Sequence, residues 1–189
     1  RLLSLDVETH YHASVRDVPA AMIDAFRRAA KRSDIVLVSG GLGPTRDDLT
    51  SESLAQAFGR KMRLDEAALA GIRAFFASVG REMTENNASQ AWFPDGAELL
   101  ANPIGTAPGF MLDVQQGGRR PTRSEPQGSE GGPLHGGAVF FCMPGVPGEM
   151  SRMLADHVVP ELAHAAPGRV TVVRTVRTVV CCSMTSETH

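Results

Sequence analysis

The chain has 189 residues, of which 42% are hydrophobic and 21% charged, a composition typical of one globular domain with a sizeable core. No apolar run approaches the roughly 20 residues that a membrane-spanning helix needs, and no signal peptide opens the sequence. A membrane partner is therefore not expected, and the default location is the cytoplasm. The net charge of -2 provides no basic field, which argues against nucleic acid as a partner.

Cysteine, histidine and tryptophan do not form a recognisable site in the sequence. The three cysteines (Cys142, Cys181 and Cys182) have neither zinc-site nor disulfide spacing, and Cys142 is interpreted as a small buried hydrophobe. The histidines of HYH, residues 10–12, are typical of a solvated strand edge, and Trp92 is assigned to the core or its border. The first methionine is Met22, so we expect the chain to start inside a longer protein, with RLLSL ending a helix.

The first third of the chain predicts a strand, a helix and a second strand. VETHYHASV, residues 7–15, alternates with period 2 and predicts a strand with one buried face. Asp17 as a cap and Pro19 in the first turn predict a helix that ends near Ser33. DIVLV, residues 34–38, is continuously apolar, as in a parallel strand covered on both faces. Together these elements form a βαβ unit.

Three helices are predicted between residues 50 and 91. Thr50 is expected to cap the first, which Gly59 ends. The second begins at Asp65 and ends at Gly80. Its predicted buried side chains are Leu69, Ile72, Phe76 and Val79. A short third helix covers residues 84–91.

The remainder of the chain predicts strands, an insertion and a last helix. ELL (98–100), FMLDV (110–114) and AVFFCM (138–143) are short strands. Residues 115–137 are rich in glycine and proline and predict a mobile hairpin insertion. A helix follows PGVPGEM, with a kink or its last turns at Pro160. VTVVRTVRTVV predicts an exposed strand, so that a domain over 1–168 would be followed by a new segment over 169–189.

The segment SGGLGPTRDDLT, residues 39–50, lies between a strand and a helix and is a candidate anion site. Unpaired amides at a helix start attract anions, and Gly40, Gly41 and Gly43 allow the backbone to approach a phosphate closely. The segment matches neither GxGxxG nor GxxxxGK[ST], so neither a dinucleotide fold nor a Walker NTPase is supported. A tight turn without a ligand is the alternative.

Two adjacent carboxylates, Asp47 and Asp48, end this loop. Carboxylates beside a phosphate repel it unless a cation lies between them, which suggests a divalent metal such as Mg²⁺. One Asp could instead act as a general base, or the pair could simply cap the following helix.

A second glycine turn, PGVPGEM at residues 144–150, also follows a strand and precedes a helix. Because ligands of open α/β sheets bind at the carboxyl ends of the strands, the two loops are expected to face one crevice. Glu149 would lie in the first helical turn beside it. A rigid turn without a ligand remains the alternative.

Four ordered motifs carry a family resemblance. They are GGLGPTRDDLT, LDEAALAGIRAFF, ENNASQAWFPDGAELLANPIGTAPGF and MPGVPGEM. Together they resemble the N-terminal domain of the CinA (competence/damage-inducible) family, within the MoaB/MogA molybdopterin-binding superfamily. The resemblance implies a three-layer α/β/α fold with a mostly parallel sheet, and relatives that tend to form homo-oligomers. The family opens with a strand and a GDELL-type loop that this sequence lacks, which implies a domain truncated at its start, without its N-terminal strand.

The resemblance also implies a site and a set of reactions. Asp48 matches the essential aspartate of the family pattern and becomes the expected catalytic residue and metal ligand, with Asp47 as its helper. The ligand is expected to contact Gly40, Gly41, Gly43, Thr45, Asn86, Asn87, Gly105, Thr106, Gly145, Pro147 and Glu149. The implied function is metal-dependent hydrolysis of a nucleotide pyrophosphate such as ADP-ribose. Molybdopterin binding with adenylyl transfer, or nucleotide binding without catalysis, are the alternatives.

Overall fold

The computed structural model describes residues 8–114, 138–165 and 171–176. Its strands, numbered in chain order, are β1 (Glu8–Ala13), β2 (Ile35–Ser39), β3 (Met62–Leu64), β4 (Trp92–Pro94), β5 (Glu98–Leu100), β6 (Gly109–Asp113), β7 (Val139–Met143) and β8 (Thr171–Val176). Six of them form one sheet in the order β1-β8-β2-β7-β6-β5. The first four are parallel, whereas β6 pairs antiparallel with β7 and β5 pairs antiparallel with β6. The short strands β3 and β4 pair separately.

The helices are α1 (Pro19–Arg32), α2 (Thr50–Ala57), α3 (Glu66–Ser78), α4 (Glu85–Ala88), α5 (Pro147–Met153) and α6 (Val159–Ala165). A 3₁₀ turn, Ser89–Ala91, follows α4. A π-helical turn, Leu154–Val158, joins α5 to α6 just before Pro160, near the predicted irregularity. Within the described ranges, no helix has the length and apolar character to cross a bilayer.

Hydrophobic side chains cover both faces of the sheet. Val36 and Val38 of β2 belong to a cluster that includes residues of α1, α2 and α3. Ile35 and Leu37 belong to a second cluster, together with Met153, Val158 and Leu162. All five residues of β2 are buried, as the continuous apolar run predicted. Helices therefore flank the sheet on both sides, which confirms the predicted three-layer α/β/α fold with a mostly parallel sheet.

Helix ends were predicted with mixed success. The cap of α3 is Asp65, whose carboxylate accepts a hydrogen bond from the Ala68 amide at 2.8 Å, as expected. The cap of α1 is Val18 rather than Asp17, and α2 begins at Thr50 itself rather than after it. Val79, predicted to be buried, lies beyond the end of α3 and is 51% exposed.

Strand β1 differs from the half-buried strand that was predicted. Thr9 and Tyr11, on the expected buried side, are both exposed. The Tyr11 ring is covered in part by the Arg32 guanidinium, 4.2 Å from its centroid. The strand lies at the edge of the sheet, where few neighbouring elements can cover it.

Strand β8 is the largest correction to the sequence prediction. It forms as a strand, but it pairs in parallel with both β1 and β2 and therefore lies between them in the sheet instead of starting a separate segment. Residues 177–189, which would belong to the predicted following segment, lie outside the described residues. So do the predicted helix end at residues 1–5 and the predicted insertion at 115–137. The boundary at residue 168 stays a prediction.

Candidate functional site

The two glycine loops meet at the carboxyl ends of β2 and β7. These strands are parallel neighbours, with Ser39 opposite Met143. The Gly40 amide donates to the Met143 carbonyl at 2.9 Å, and a Cβ on Gly145 would lie 3.3 Å from the Gly40 Cα. The two loops are therefore in backbone contact, which leaves little room for larger residues, but no residue of the second loop lines the cavity described below, so a crevice shared by both loops stays a prediction.

Thr50 closes the first loop from the helix side. Its hydroxyl donates to the Gly40 carbonyl at 2.8 Å, and its amide donates to the Gly41 carbonyl at 3.1 Å. Both glycines have positive φ, 98° and 72°, which a residue with a side chain adopts only with strain. Thr50 is thus buried and fixes the conformation of the first loop, whereas the sequence predicted that it would cap a helix.

Asp48 turns toward the loop. One carboxylate oxygen, Oδ2, accepts from the Thr45 amide at 2.9 Å and from the Thr45 hydroxyl at 2.5 Å. A Cβ on Gly43 would lie 2.6 Å from the same oxygen, so only glycine leaves room for the carboxylate there. Asp47 is exposed, whereas Asp48 is half-buried.

A cavity of about 610 Å³ opens beside this loop. One wall is the loop and the start of α2, and the other is the α4 region with β3 and β4. Of the predicted site residues, Gly41, Gly43, Thr45, Asp48 and Asn86 line it. Its volume is within the range of pockets that hold nucleotide-sized ligands.

Several polar or aromatic residues of the cavity lining were not predicted as site residues, among them Arg46, Glu52, Glu85, Gln90 and Trp92. The carboxylates of Asp48, Glu52 and Glu85 outnumber the single guanidinium of Arg46. An anionic ligand in this cavity would therefore benefit from an accompanying cation. A signal for Gln90 and Trp92 existed in the sequence, because both closely follow the ENN motif, but Trp92 was assigned to the core or its border rather than to the site.

The other predicted site residues are absent from the lining of this cavity as described. Asn87 belongs to the cap of α4, where its Oδ1 accepts from the Thr84 amide at 3.1 Å and the Thr84 hydroxyl at 2.7 Å. Gly40 and Gly145 lie at the contact between the two loops, and Asp47 is exposed. The rest belong to the second loop and its neighbour: Gly105, Thr106, Pro147 and Glu149.

Glu149 and Gly105 form a contact of their own through Asn102, which the sequence did not single out. The Asn102 amide donates to Glu149 Oε2 at 2.7 Å and to the Ala107 carbonyl at 2.9 Å. Its Oδ1 accepts from the amides of Ile104, at 3.3 Å, and Gly105, at 3.1 Å. A Cβ on Gly105 would lie 2.4 Å from the Glu149 carboxyl group. This network joins the start of α5 to the loop between β5 and β6.

A metal held only by protein side chains is not favoured here. Within the described ranges, no three His, Cys, Asp or Glu residues are grouped so that they could hold an ion. Mg²⁺, however, commonly binds one or two carboxylates and takes further ligands from substrate phosphates and water. Asp48, with one oxygen engaged by Thr45, fits that kind of ion.

The fold and the loop define a class, an α/β domain whose glycine-rich loop and acidic cavity lie at the carboxyl ends of parallel strands. Residues 1–164 match the family model described as "Probable molybdopterin binding domain". The chain belongs to this molybdopterin-binding-type family, as a CinA-like member.

Individual relatives agree with this assignment. A CinA-like protein of Syntrophus aciditrophicus is 42% identical over 79% of this chain and 30% of its own length. A CinA-like protein of Dictyoglomus turgidum is 36% identical over 89% of this chain and 36% of its own. The chain thus spans about a third of the length of these curated relatives. The crystal structure of CinA from Thermoplasma acidophilum, described as of unknown function, is 33% identical, with a TM-score of 0.59 over 77% of this chain and 72% of that one.

Proposed function

We propose that this domain binds a nucleotide by its pyrophosphate in the cavity beside the glycine loop and hydrolyses it with a divalent metal, ADP-ribose being a suitable substrate. The observation that carries the proposal is the position of Asp48. Its carboxylate lines the cavity, contacts the loop glycine and is oriented by Thr45. An acid placed in this way can act on a ligand at the loop, whereas an acid directed outward could not.

The phosphate contacts would come from the backbone. The amides of Gly40 and Thr45 already donate to Met143 and Asp48, so we assign the phosphate to the amides of residues 41–43. Arg46, on the same wall, would neutralise part of the phosphate charge. The loop conformation that presents these amides depends on Thr50 and on the glycine positions.

Asp48 would hold the metal through the oxygen directed away from Thr45, with the exposed Asp47 as a further ligand. When bound, a divalent ion would withdraw charge from the phosphoryl oxygens and assist attack of water on phosphorus. Without a direct bond to the ion, Asp48 could instead accept a proton from the attacking water. In either role, a negative charge at Asp48 is required.

The charge at Asp48 can be tested with an isosteric change. Asp48→Asn keeps an oxygen that can accept from Thr45 but removes the charge, and we expect a loss of activity of about 100-fold or more. The assay measures phosphate released from ADP-ribose in the presence of Mg²⁺ and a phosphatase, which acts on the AMP and ribose 5-phosphate produced. Asp24→Asn is the matched control, because Asp24 lies on the exposed face of α1, paired with Arg28. Equal activity of both variants and the wild type would refute the proposal.

A second candidate, molybdopterin binding with adenylyl transfer, is supported by the description of the matching family. It requires the same loop for a pterin phosphate and for ATP. Calorimetric titration of a pterin phosphate, with and without ATP, distinguishes it from nucleotide hydrolysis. Tight binding of ADP-ribose without turnover would instead favour a domain that binds nucleotides without catalysis.

A further inference from the structure

Trp92 occupies an unusual position for a large aromatic residue. It is 43% exposed, yet it lines the cavity on the wall opposite the glycine loop. In the antiparallel pair of β3 and β4, Trp92 lies opposite Leu64. Met62, two residues before Leu64 in β3, is on the same face of the pair as Leu64 and Trp92. Met62 also lines the cavity. A flat apolar surface therefore stands next to a polar loop, an arrangement more typical of binding than of core packing.

Gln90 adds an unsatisfied hydrogen-bond acceptor to the cavity lining, next to the glycine loop. Its side chain is buried, with 6% exposure, and lines the cavity. The amide nitrogen is 3.5 Å from the Leu42 carbonyl and 3.5 Å from the Thr106 hydroxyl, long contacts that hold the side chain in place. The amide oxygen, Oε1, has no hydrogen-bond partner within the described part of the chain. A buried acceptor without a donor is unfavourable, and a ligand N–H or O–H would satisfy it.

We propose that Trp92 and Gln90 form the recognition site for a planar heterocyclic ring of the ligand, the ring stacking on Trp92 while a ring or sugar donor reaches Gln90. This inference rests on the proposed function, because it assumes that the phosphate end of the ligand lies at the glycine loop. The chemical class is a phosphate ester that carries a fused heterocycle, either a purine nucleotide or a pterin phosphate. A sugar phosphate without a ring system would use only the loop.

Two features of the structure favour this orientation. The glycine loop offers backbone amides and Arg46, which suit phosphate, whereas β3 and β4 contribute the apolar and aromatic side chains of Met62, Trp92 and Phe93 to the cavity lining. The 3₁₀ turn Ser89–Ala91 sets Gln90 immediately before β4, so both side chains are held by one short segment. Stacking of a base on an aromatic side chain tolerates different rings, so Trp92 provides affinity and Gln90 a directional contact.

The experiment uses the intrinsic fluorescence of the chain, because Trp92 is the only tryptophan among the 189 residues. ADP-ribose and ribose 5-phosphate are titrated into the wild type with Mg²⁺, and we expect quenching with ADP-ribose alone. Calorimetry then measures the affinities of Trp92→Ala and Trp92→Phe. We expect Trp92→Ala to weaken the binding of ADP-ribose roughly tenfold and Trp92→Phe to weaken it less. The affinity for ribose 5-phosphate should be unchanged in both variants. Gln90→Met should also weaken the binding of ADP-ribose without changing that of ribose 5-phosphate.

Leu99→Ala is the matched control, because Leu99 is an exposed leucine of β5 that does not line the cavity. It should bind both ligands as the wild type does. A neopterin phosphate titrated in parallel identifies the ring class, since the ligand with the preferred heterocycle will show the larger loss of affinity in Trp92→Ala. Circular dichroism establishes that each variant is folded, and Trp92→Phe remains informative if Trp92→Ala does not fold.

The outcomes separate this inference from the proposed function. If ADP-ribose is hydrolysed but its affinity is the same for Trp92→Ala and the wild type, and it does not quench the fluorescence of Trp92, the ring site is refuted and hydrolysis stands. If ADP-ribose binds with the expected dependence on Trp92 but is not hydrolysed, the ring site stands and hydrolysis is refuted. If neither heterocyclic ligand binds to the wild type, both are refuted.

Discussion

Cys142 is the fourth of the five residues of β7 and is completely buried. Burial disfavours the thiolate and raises the pKa of Cys142 well above its ordinary value of 9.0. Above pH 9 the unfolded chain therefore loses a proton that the folded chain keeps. The contribution of this group to stability is complete below pH 9 and decreases as the pH rises further.

We therefore expect the free energy of unfolding of the wild type to decrease by up to about 1.4 kcal/mol per pH unit above pH 9, relative to Cys142→Ala. Urea unfolding of both proteins at pH 8 and pH 10 measures the difference, in which the contributions of Cys181 and Cys182 cancel. Parallel pH dependence of the two proteins would show that the thiol ionises normally in the fold.

Single residues were predictable where the structural cause is local. Asp65 caps α3 because its carboxylate reaches an amide three residues later, and Gly59 and Gly80 end helices with positive φ. Thr50 was misassigned because its hydroxyl reaches the Gly40 carbonyl, ten residues away in the sequence. Trp92 was assigned to the core or its border without a place in the site, since only the packing of β4 shows that it lines the cavity.

At the scale of elements, the network around Asn102 joins the start of α5 to the loop before β6. We expect Asn102→Asp to lower the free energy of unfolding at pH 7 by about 1–3 kcal/mol, because the new carboxylate replaces a donor to Glu149 by a like charge. Thermal and urea unfolding measure the loss.

The matched rescue is the double variant Asn102→Asp with Glu149→Gln, which places a donor opposite the new carboxylate. It should recover most of the lost stability, whereas Glu149→Gln alone should have a smaller effect. A double variant as unstable as Asn102→Asp would show that this contact does not join the two elements.

Most strands and helices of the sheet layers were found from the sequence, but β3 and β4 were not. The predicted strand ELL coincides with β5, and the apolar run DIVLV contains β2. Strands β3 and β4 have three residues each and pair across about 30 residues of chain, so no local sequence pattern predicts their pairing. They nevertheless form the cavity wall that carries Trp92.

At the scale of the whole molecule, the last described segment of the chain, β8, is an inner strand of the six-stranded sheet. It is the described strand to which β1 pairs, and it also pairs along β2. We expect removal of residues 171–189 to abolish cooperative unfolding, because β1 would lose its partner among the described strands and β2 one of its two partners. Removal of residues 177–189 is the matched control and should leave a cooperative transition. Circular dichroism melting curves measure both.

An unchanged melting temperature after removal of residues 171–189 would instead support the boundary predicted at residue 168. That boundary was inferred from the alternating pattern of VTVVRTVRTVV, which is the same in an edge strand and an internal one.

The sequence by itself determined the α/β class, the positions of the main helices and strands, and the glycine loop with Asp48. These features depend on periodicity, on backbone freedom at glycine and on a family pattern, all of which are local properties of the chain. Only the tertiary structure decided which side chains share a cavity, because Gln90 and Trp92 reach the glycine loop through packing rather than through sequence proximity. It also decided the place of β8, since strand order depends on backbone pairing between segments far apart in the chain.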